Sequence, residues 1–435
     1  MITSLSGPDA LAIQETAEPV LNPGQTLVRV AAGGLNFADF MTTKGGYPGT
    51  PPPPLIAGRE FAGIASAQAL ILTLERIAVE SEYQGKKPDA QAARLHYLEA
   101  TFGQHWKGRG NVAEAFGHAW LKSRGFGEAI DWYQRAREAQ DGTASFAAIE
   151  QLANAKIRLA WERANRDSAA IDQARADIKA AMKLLDKLLA LAPTVERESL
   201  YGSGYKRLAL LEAKAARIAD EPDAKAAADA AEKAAINDMW THYNEAETLA
   251  RGSPAAPAQP LFYSAMNRIA AQLALDNPKK HATAMDDEAI MAVRSSMRSV
   301  APDFWSVIGQ TELDMYVSIA AGTLARDANG LIEGFRDHHG RVGNERLWSS
   351  VFDNATFVLS KYRTRASPSE VDAANLVLAQ LSALAGLRTP PVSRGSGRAE
   401  KDAPDAPSAG ATPGKTVKRP RQARTQRRTP AKRRT

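Results

Sequence analysis

The side chains that could do chemistry in this 435-residue chain are few and scattered. Asp337, His338 and His339 stand together, with Glu333 a turn earlier. Adjacent histidines on a helix point to different sides and chelate poorly. No HExxH spacing exists, and an exposed loop pair near Gly340 is expected. Asp286, Asp287 and Glu288 could attract a cation, but they are expected to supply the N-terminal charges of the helix that starts there. Gly202-Ser203-Gly204 and Gly108-Arg109-Gly110 approach a pyrophosphate-binding turn. Each lacks the third glycine, and nothing before Gly202 reads as a buried strand. No P-loop and no GxSxG nucleophile elbow occurs. Without cysteine, disulfides, thiol catalysis and Cys-zinc sites are excluded. The residues therefore predict no catalytic group and no metal site.

Charge is the exception. From Arg388 onward there are 14 Lys and Arg against 3 Asp and Glu, leaving 41 against 46 in the first 387 residues. The net charge of +6 thus belongs to the tail. Residues 388–435, rich in proline and without aromatics, are expected to be disordered. Lys418, Arg419, Arg421, Arg427, Arg428, Lys432, Arg433 and Arg434 are its candidate polyanion contacts. Such a run neutralises the phosphates of a nucleic acid by counterion release, or attracts another polyanion. With no interleaved aromatics, stacking on single strands is not expected.

The elements that would position a site are mainly helical. Asn111 to Glu138 reads as two helices joined at Arg124-Gly125. Ala113, Phe116 and Trp120 are spaced for the first; Ala129, Ile130, Trp132, Tyr133 and Ala136 form the stripe of the second. These residues resemble a tetratricopeptide (TPR) helical hairpin. Gly117 matches the small residue of its first helix and Trp120 the aromatic that follows. Ala129, Tyr133 and Ala136 match the small-large-small series of the second. Ala113 stands where the family has tryptophan, and Asp141 where it has proline. Ala181, Leu185, Leu188 and Pro193 resemble a second such helix, 52 residues after Ala129 rather than the ~34 of a regular repeat. Further helices are expected at 261–275, 287–300, 304–324, 347–362 and 369–387, with a loop over Ser253 to Pro260 and a helix opening at Tyr201. The resulting fold class is mainly α. Residues 67–387 are expected to form a TPR-like α-solenoid of degenerate hairpins, similar also to the helical regions of bacterial signalling proteins related to TRAF-binding domains. Its groove would take a protein or peptide partner.

Residues 1–66 are different. Leu27 to Ala31 and Glu60 to Ile64 suggest strands, separated by Gly- and Pro-rich loops. Asn36-Phe37-Ala38-Asp39, Gly46-Tyr47-Pro48 and Gly58-Arg59-Glu60-Phe61-Ala62-Gly63 resemble the N-terminal GroES-like segment of zinc-free medium-chain reductases, the quinone oxidoreductase branch. The resemblance implies a short β-containing fragment in which Asn36 and Tyr47 would face NADPH. Arg59 stands where zinc-dependent members carry a histidine. No Rossmann glycine turn follows, so Asn36 and Tyr47 are expected to be vestigial and no hydride transfer is expected.

The start, Met1 to Pro19, lacks the basic and apolar regions of a secretory signal, and no apolar run approaches a membrane span. A cytoplasmic, non-enzymatic interaction scaffold without cofactor is the expectation. The alternatives are an NADPH-dependent quinone reductase and a nucleic-acid-associated protein working through the tail.

Overall fold

Helix caps and small-residue contacts, more than composition, decide where the elements begin and end. The computed structural model describes residues 2–15, 28–34, 37–46, 52–53, 55, 60–65, 67–83, 88–252, 260–275 and 287–387. Asn36, Tyr47, the loop residues 253–259, Asp286 and the whole tail from Arg388 lie outside them. The described residues belong to one unit, Met1–Thr389, and are mainly helical.

At the N-terminus, β1 (Val28–Gly34) pairs antiparallel with β2 (Glu60–Ala65), from Val28 opposite Ala65 to Gly34 opposite Glu60, with an irregularity between Val30 and Ala32. A short helix, α1 (Phe37–Thr43), follows β1. Its last residue accepts a hydrogen bond from the Gly7 amide (3.0 Å), and Ile2 bridges Leu11 and Leu55. These elements make their main contacts with one another.

The helical body begins with α2 (Ala67–Tyr83) and α3 (Pro88–Leu98), followed by a π-type turn at Glu99–Gly103. Antiparallel pairs come next: α4 (Gly110–Lys122) with α5 (Phe126–Glu138), α6 (Phe146–Arg166) with α7 (Ile171–Leu191), and α8 (Val195–Ile218) with α9 (Pro222–Gly252). Then come α10 (Leu261–Ala274), α11 (Asp287–Ser299), α12 (Phe304–Ala321), α13 (Leu324–Arg341), α14 (Glu345–Tyr362) and α15 (Pro368–Leu384). No helix among the described residues is long and apolar enough to cross a membrane. Two apolar clusters fill the body. One gathers α2 to α5 with the start of α6; the other runs from α6 to α15.

One helix start and one whole helix differ most from expectation. α8 opens at Val195, not Tyr201, because the Thr194 hydroxyl caps it by accepting from Arg197 N. Gly202 and Gly204 are therefore mid-helix. A Cβ on Gly202 would meet the Tyr243 ring at 2.6 Å, and one on Gly204 the Met182 sulfur at 3.0 Å. They are close-approach residues, not a phosphate turn. Residues 324–341 also form a helix that the sequence pattern hid, because Gly330, Gly334 and Gly340 interrupt the apolar series Leu324, Ala328, Leu331, Ile332 and Phe335. His338 and His339 sit in its last turn rather than in a loop. His338 Nε2 lies 3.1 Å from the Thr311 hydroxyl, and burial lowers its pKa.

Candidate functional site

The α4–α5 hairpin is built on one close approach. A Cβ at Gly117 would lie 2.8 Å from the Tyr133 ring, so only glycine lets the helices meet here. Trp120, Ala129, Tyr133 and Ala136 are all buried in the same interface. The Phe116 and Trp132 rings stack at 4.2 Å. In the connecting turn Arg124 adopts φ 64°, and a Cβ on Gly125 would strike the Trp120 ring at 2.4 Å. The indole N–H groups of Trp120 (2.7 Å) and Trp132 both donate to one carboxylate oxygen of Glu99. Asp141 turns back to cap α4, accepting from Gly110 N at 3.1 Å and from Thr143. Those bonds, Thr143's first, hold its carboxyl below the usual range. Glu114 of α4 in turn accepts from Ser145 N (2.8 Å), the residue that caps α6. The hairpins are thus tied by polar links at their ends and by apolar packing between.

The first helices of successive pairs line up, α4 against α6 and α6 against α8. Along α6 this inner side carries Gln151, Asn154, Arg158 and Glu162, at helical spacing of three and four. They form a chain: Asn154 donates to Gln151 (2.9 Å), Arg158 Nε to Asn154 (3.1 Å), and Gln151 to Glu196 (3.0 Å). Glu162 accepts from Arg124 and Arg166. α8 adds Ser203, Lys206 and Arg207; α10 adds Tyr263. Tyr263 keeps 41% of its surface, yet burial is the main cause of its raised phenol pKa.

α14 reaches this side through side chains. Its Asn354 accepts from Lys206, whose ammonium stands 5.4 Å from the Phe357 ring centroid. At its N-terminal end Arg346 donates to the carbonyls of Ser81 (3.0 Å) and Lys122, and Asn344 to that of Glu82 (3.3 Å). At the far end Lys361 pairs with Glu232. Trp348, Val351, Ala355 and Val358 are fully buried.

Burial shifts the charges along this side. Arg207 is pushed down to about 10, by burial first and the charge of Arg158 second. Arg346 is pushed down to about 10 by burial and then by Arg124. Burial lowers Lys206 and raises the carboxyls of Glu196 and Asp353. Such a face can hold hydrogen-bonding or anionic ligand groups. Among the described residues no group of three or more His, Asp or Glu is placed to hold a metal. Sequence reasoning missed the inner strip. Its signal was present in the polar residues 151, 154, 158 and 162, spaced by three and four along one side of the helix.

Of the other sequence-derived sites, Asn36, Tyr47 and the tail cations lie outside the described residues. The N-terminal segment is GroES-like: residues 22–69 match the alcohol dehydrogenase GroES-like domain, a match that ends in the first turn of α2. The chain is 41% identical over 69 residues to the synaptic vesicle membrane protein VAT-1 homolog of Homo sapiens, covering 15% of this chain and 18% of that protein. The Danio rerio VAT-1 homolog is 38% identical over 68 residues, covering 15% of this chain and 14% of that protein. The chain thus spans less than a fifth of the length of the curated relatives it matches.

Proposed function

We propose that residues 67–387 form a TPR-like scaffold, a solenoid of degenerate hairpins, that binds an extended protein segment along the inner face of its first helices. The polar strip on α6 carries the reading. Its amide and guanidinium groups, Gln151, Asn154 and Arg158, suit the backbone and acidic side chains of an extended peptide. The close-packed hairpin around Gly117 and Tyr133 supports it, since small-against-large packing lets consecutive pairs stack. Because α14 reaches Lys206 on this side, the proposed segment enters beside it, over α4 and α6. The basic tail adds charge-driven attraction to a polyanion, nucleic acid included. The test is affinity capture with wild type and a Gln151→Ala/Asn154→Ala double variant. A discrete set of partners should be lost with the variant. An unchanged set would refute the reading.

The N-terminal match favours a second reading, a quinone-reductase-like activity with NADPH. The matched segment supplies only the GroES-like part of such an enzyme, and no glycine-rich nucleotide turn follows it in the sequence. Calorimetry with NADPH decides: absence of heat removes this reading.

A further inference from the structure

The residue before α14 and the first turn of that helix reach across the chain to the ends of α2 and α4. Arg346 donates through Nη1 to the carbonyl of Ser81 (3.0 Å) and through Nη2 to that of Lys122, and the Asn344 amide donates to that of Glu82 (3.3 Å). Ser81 and Glu82 lie in the last turn of α2, and Lys122 is the last residue of α4. Helix geometry leaves such carbonyls without an intrahelical partner and gives that end a partial negative charge. In α4 the carbonyls of Ala119, Trp120 and Leu121 accept from Ser123, Gly125 and Arg124, and that of Lys122 is taken by Arg346. The two helix ends are themselves joined, by the Ser81 and Ser123 hydroxyls (2.8 Å) and by the Lys122–Glu82 ion pair (2.7 Å). Glu162 pairs with Arg124.

This seam differs from the packing on either side of it. The apolar cluster of α2 to α5 includes no residue of α13 or α14. Leu347, Trp348, Val351 and Val358 belong to the other cluster, and α14 packs mainly on α10 and α15. Asn344, Arg346, Glu82 and Lys122 are each half-buried, so water can replace a bond that is lost. Releasing the seam leaves both apolar clusters whole. Packed cores do not deform continuously, whereas a few directional bonds part in one discrete step. The packing of α5 on α6 then remains as a pivot, with Ala148, Leu152 and Ala155 of α6 in the first cluster.

We propose that this seam is a latch: the block of α2 to α5 swings on the α5–α6 packing, and Arg346 and Asn344 hold it shut against the start of α14. Opening clears the approach to α4 and α6 beside α14. That consequence for a protein partner rests on the scaffold reading; the opening itself does not.

The experiment is a distance measurement on the full chain. The chain has no cysteine, so Glu75→Cys on α2 and Ser350→Cys on α14, both at exposed positions, take spin labels without background. Pulsed dipolar spectroscopy reads their separation. Glu333→Cys on α13 with Ser350→Cys is the control pair on the far side of the seam. Two variants release the latch. Arg346→Gln removes the guanidinium. Asn344→Asp keeps the oxygen that caps α14 by accepting from Arg346 N (3.1 Å) but cannot donate to Glu82. In each variant the long-distance fraction of the 75–350 pair should grow about fivefold or more over the otherwise wild-type chain, with the 333–350 pair unchanged. A 75–350 distribution that either folded variant leaves as it was would overturn the proposal. So would a change in both pairs, which would mean that α14 itself comes apart. Should Arg346→Gln fail to fold, Asn344→Asp decides alone; its failure as well would overturn the latch, since the contact would then belong to the core. The measurement holds no partner. Opening in the variants with an unchanged set of captured proteins would count against the scaffold reading and leave the latch standing.

Discussion

At Gly117 the nearest ring atoms stand 2.8 Å from where a methyl would go. Gly117→Ala should therefore destabilise the body by roughly 1–3 kcal/mol through overpacking, read as a lower urea midpoint. Gly330 is the contrast. It is mid-helix, and a methyl added there would meet nothing within 4 Å, so Gly330→Ala should stabilise by up to about 1 kcal/mol. Glu99 makes a third case. Glu99→Ala removes the acceptor shared by the Trp120 and Trp132 indoles and should cost about 2–3 kcal/mol. Glu99→Gln, which keeps an acceptor oxygen, should lose less, and denaturation curves of the two variants check the order. At this scale the sequence was informative where side-chain size mattered. Gly117, Ala129 and Tyr133 are small and large residues at helical spacing, and the glycine meets the tyrosine ring. Arg158 and Arg207 declare nothing, because an inward-facing cation and a solvated one look alike until neighbouring helices are placed.

Among the elements, helices with a clean apolar stripe were legible, and those interrupted by glycine were not. Gly334 sits where a Cβ would come 3.2 Å from Thr311, so the residue that hid α13 from pattern reading also lets it pack on α12. The start of α8 is hidden for the same reason: Gly202 and Gly204 serve contacts with Tyr243 and Met182, which a single sequence cannot separate from a turn. The N-terminal segment was legible from motif alone, as its GroES-like match shows. What pattern reading could not foresee was the position of α14, because a helix buried on several sides carries no label naming its neighbours. Trp348 has no exposed surface and meets Phe304 and Phe335 edge-on. Trp348→Ala should cost about 3–5 kcal/mol. Thermal unfolding checks it; a loss under about 1 kcal/mol would mean that α14 is not an integral part of the core.

For the whole molecule the charge of Lys206 sets a pH dependence. Lys206 is pushed down to about 8 from an ordinary 10.5, chiefly by burial. Between those values the unfolded chain holds a proton that the folded chain has lost, so stability contributed by this group rises with pH. The raised phenols of Tyr243 and Tyr316 act the other way once unfolded tyrosines ionise, above about pH 10. Urea unfolding should therefore show a gain on the order of 1–2 kcal/mol from pH 8 to about 9.5. The gain should flatten in Lys206→Met. An equal slope in that variant would place its origin elsewhere.

The bonds from Asn344 and Arg346 back to Glu82 and Ser81 join residues 262 and 265 positions apart. A stack of helical pairs is ordinarily a line, in which each unit leans only on the next and can be trimmed or extended at will. A clasp between the last third of the chain and the first turns that line into a loop. Early pairs then cannot settle their inner sides until a helix made much later arrives. At ordinary rates of synthesis that interval is roughly 10–50 s. The same closure should make early and late helices unfold together, a single transition in thermal melting.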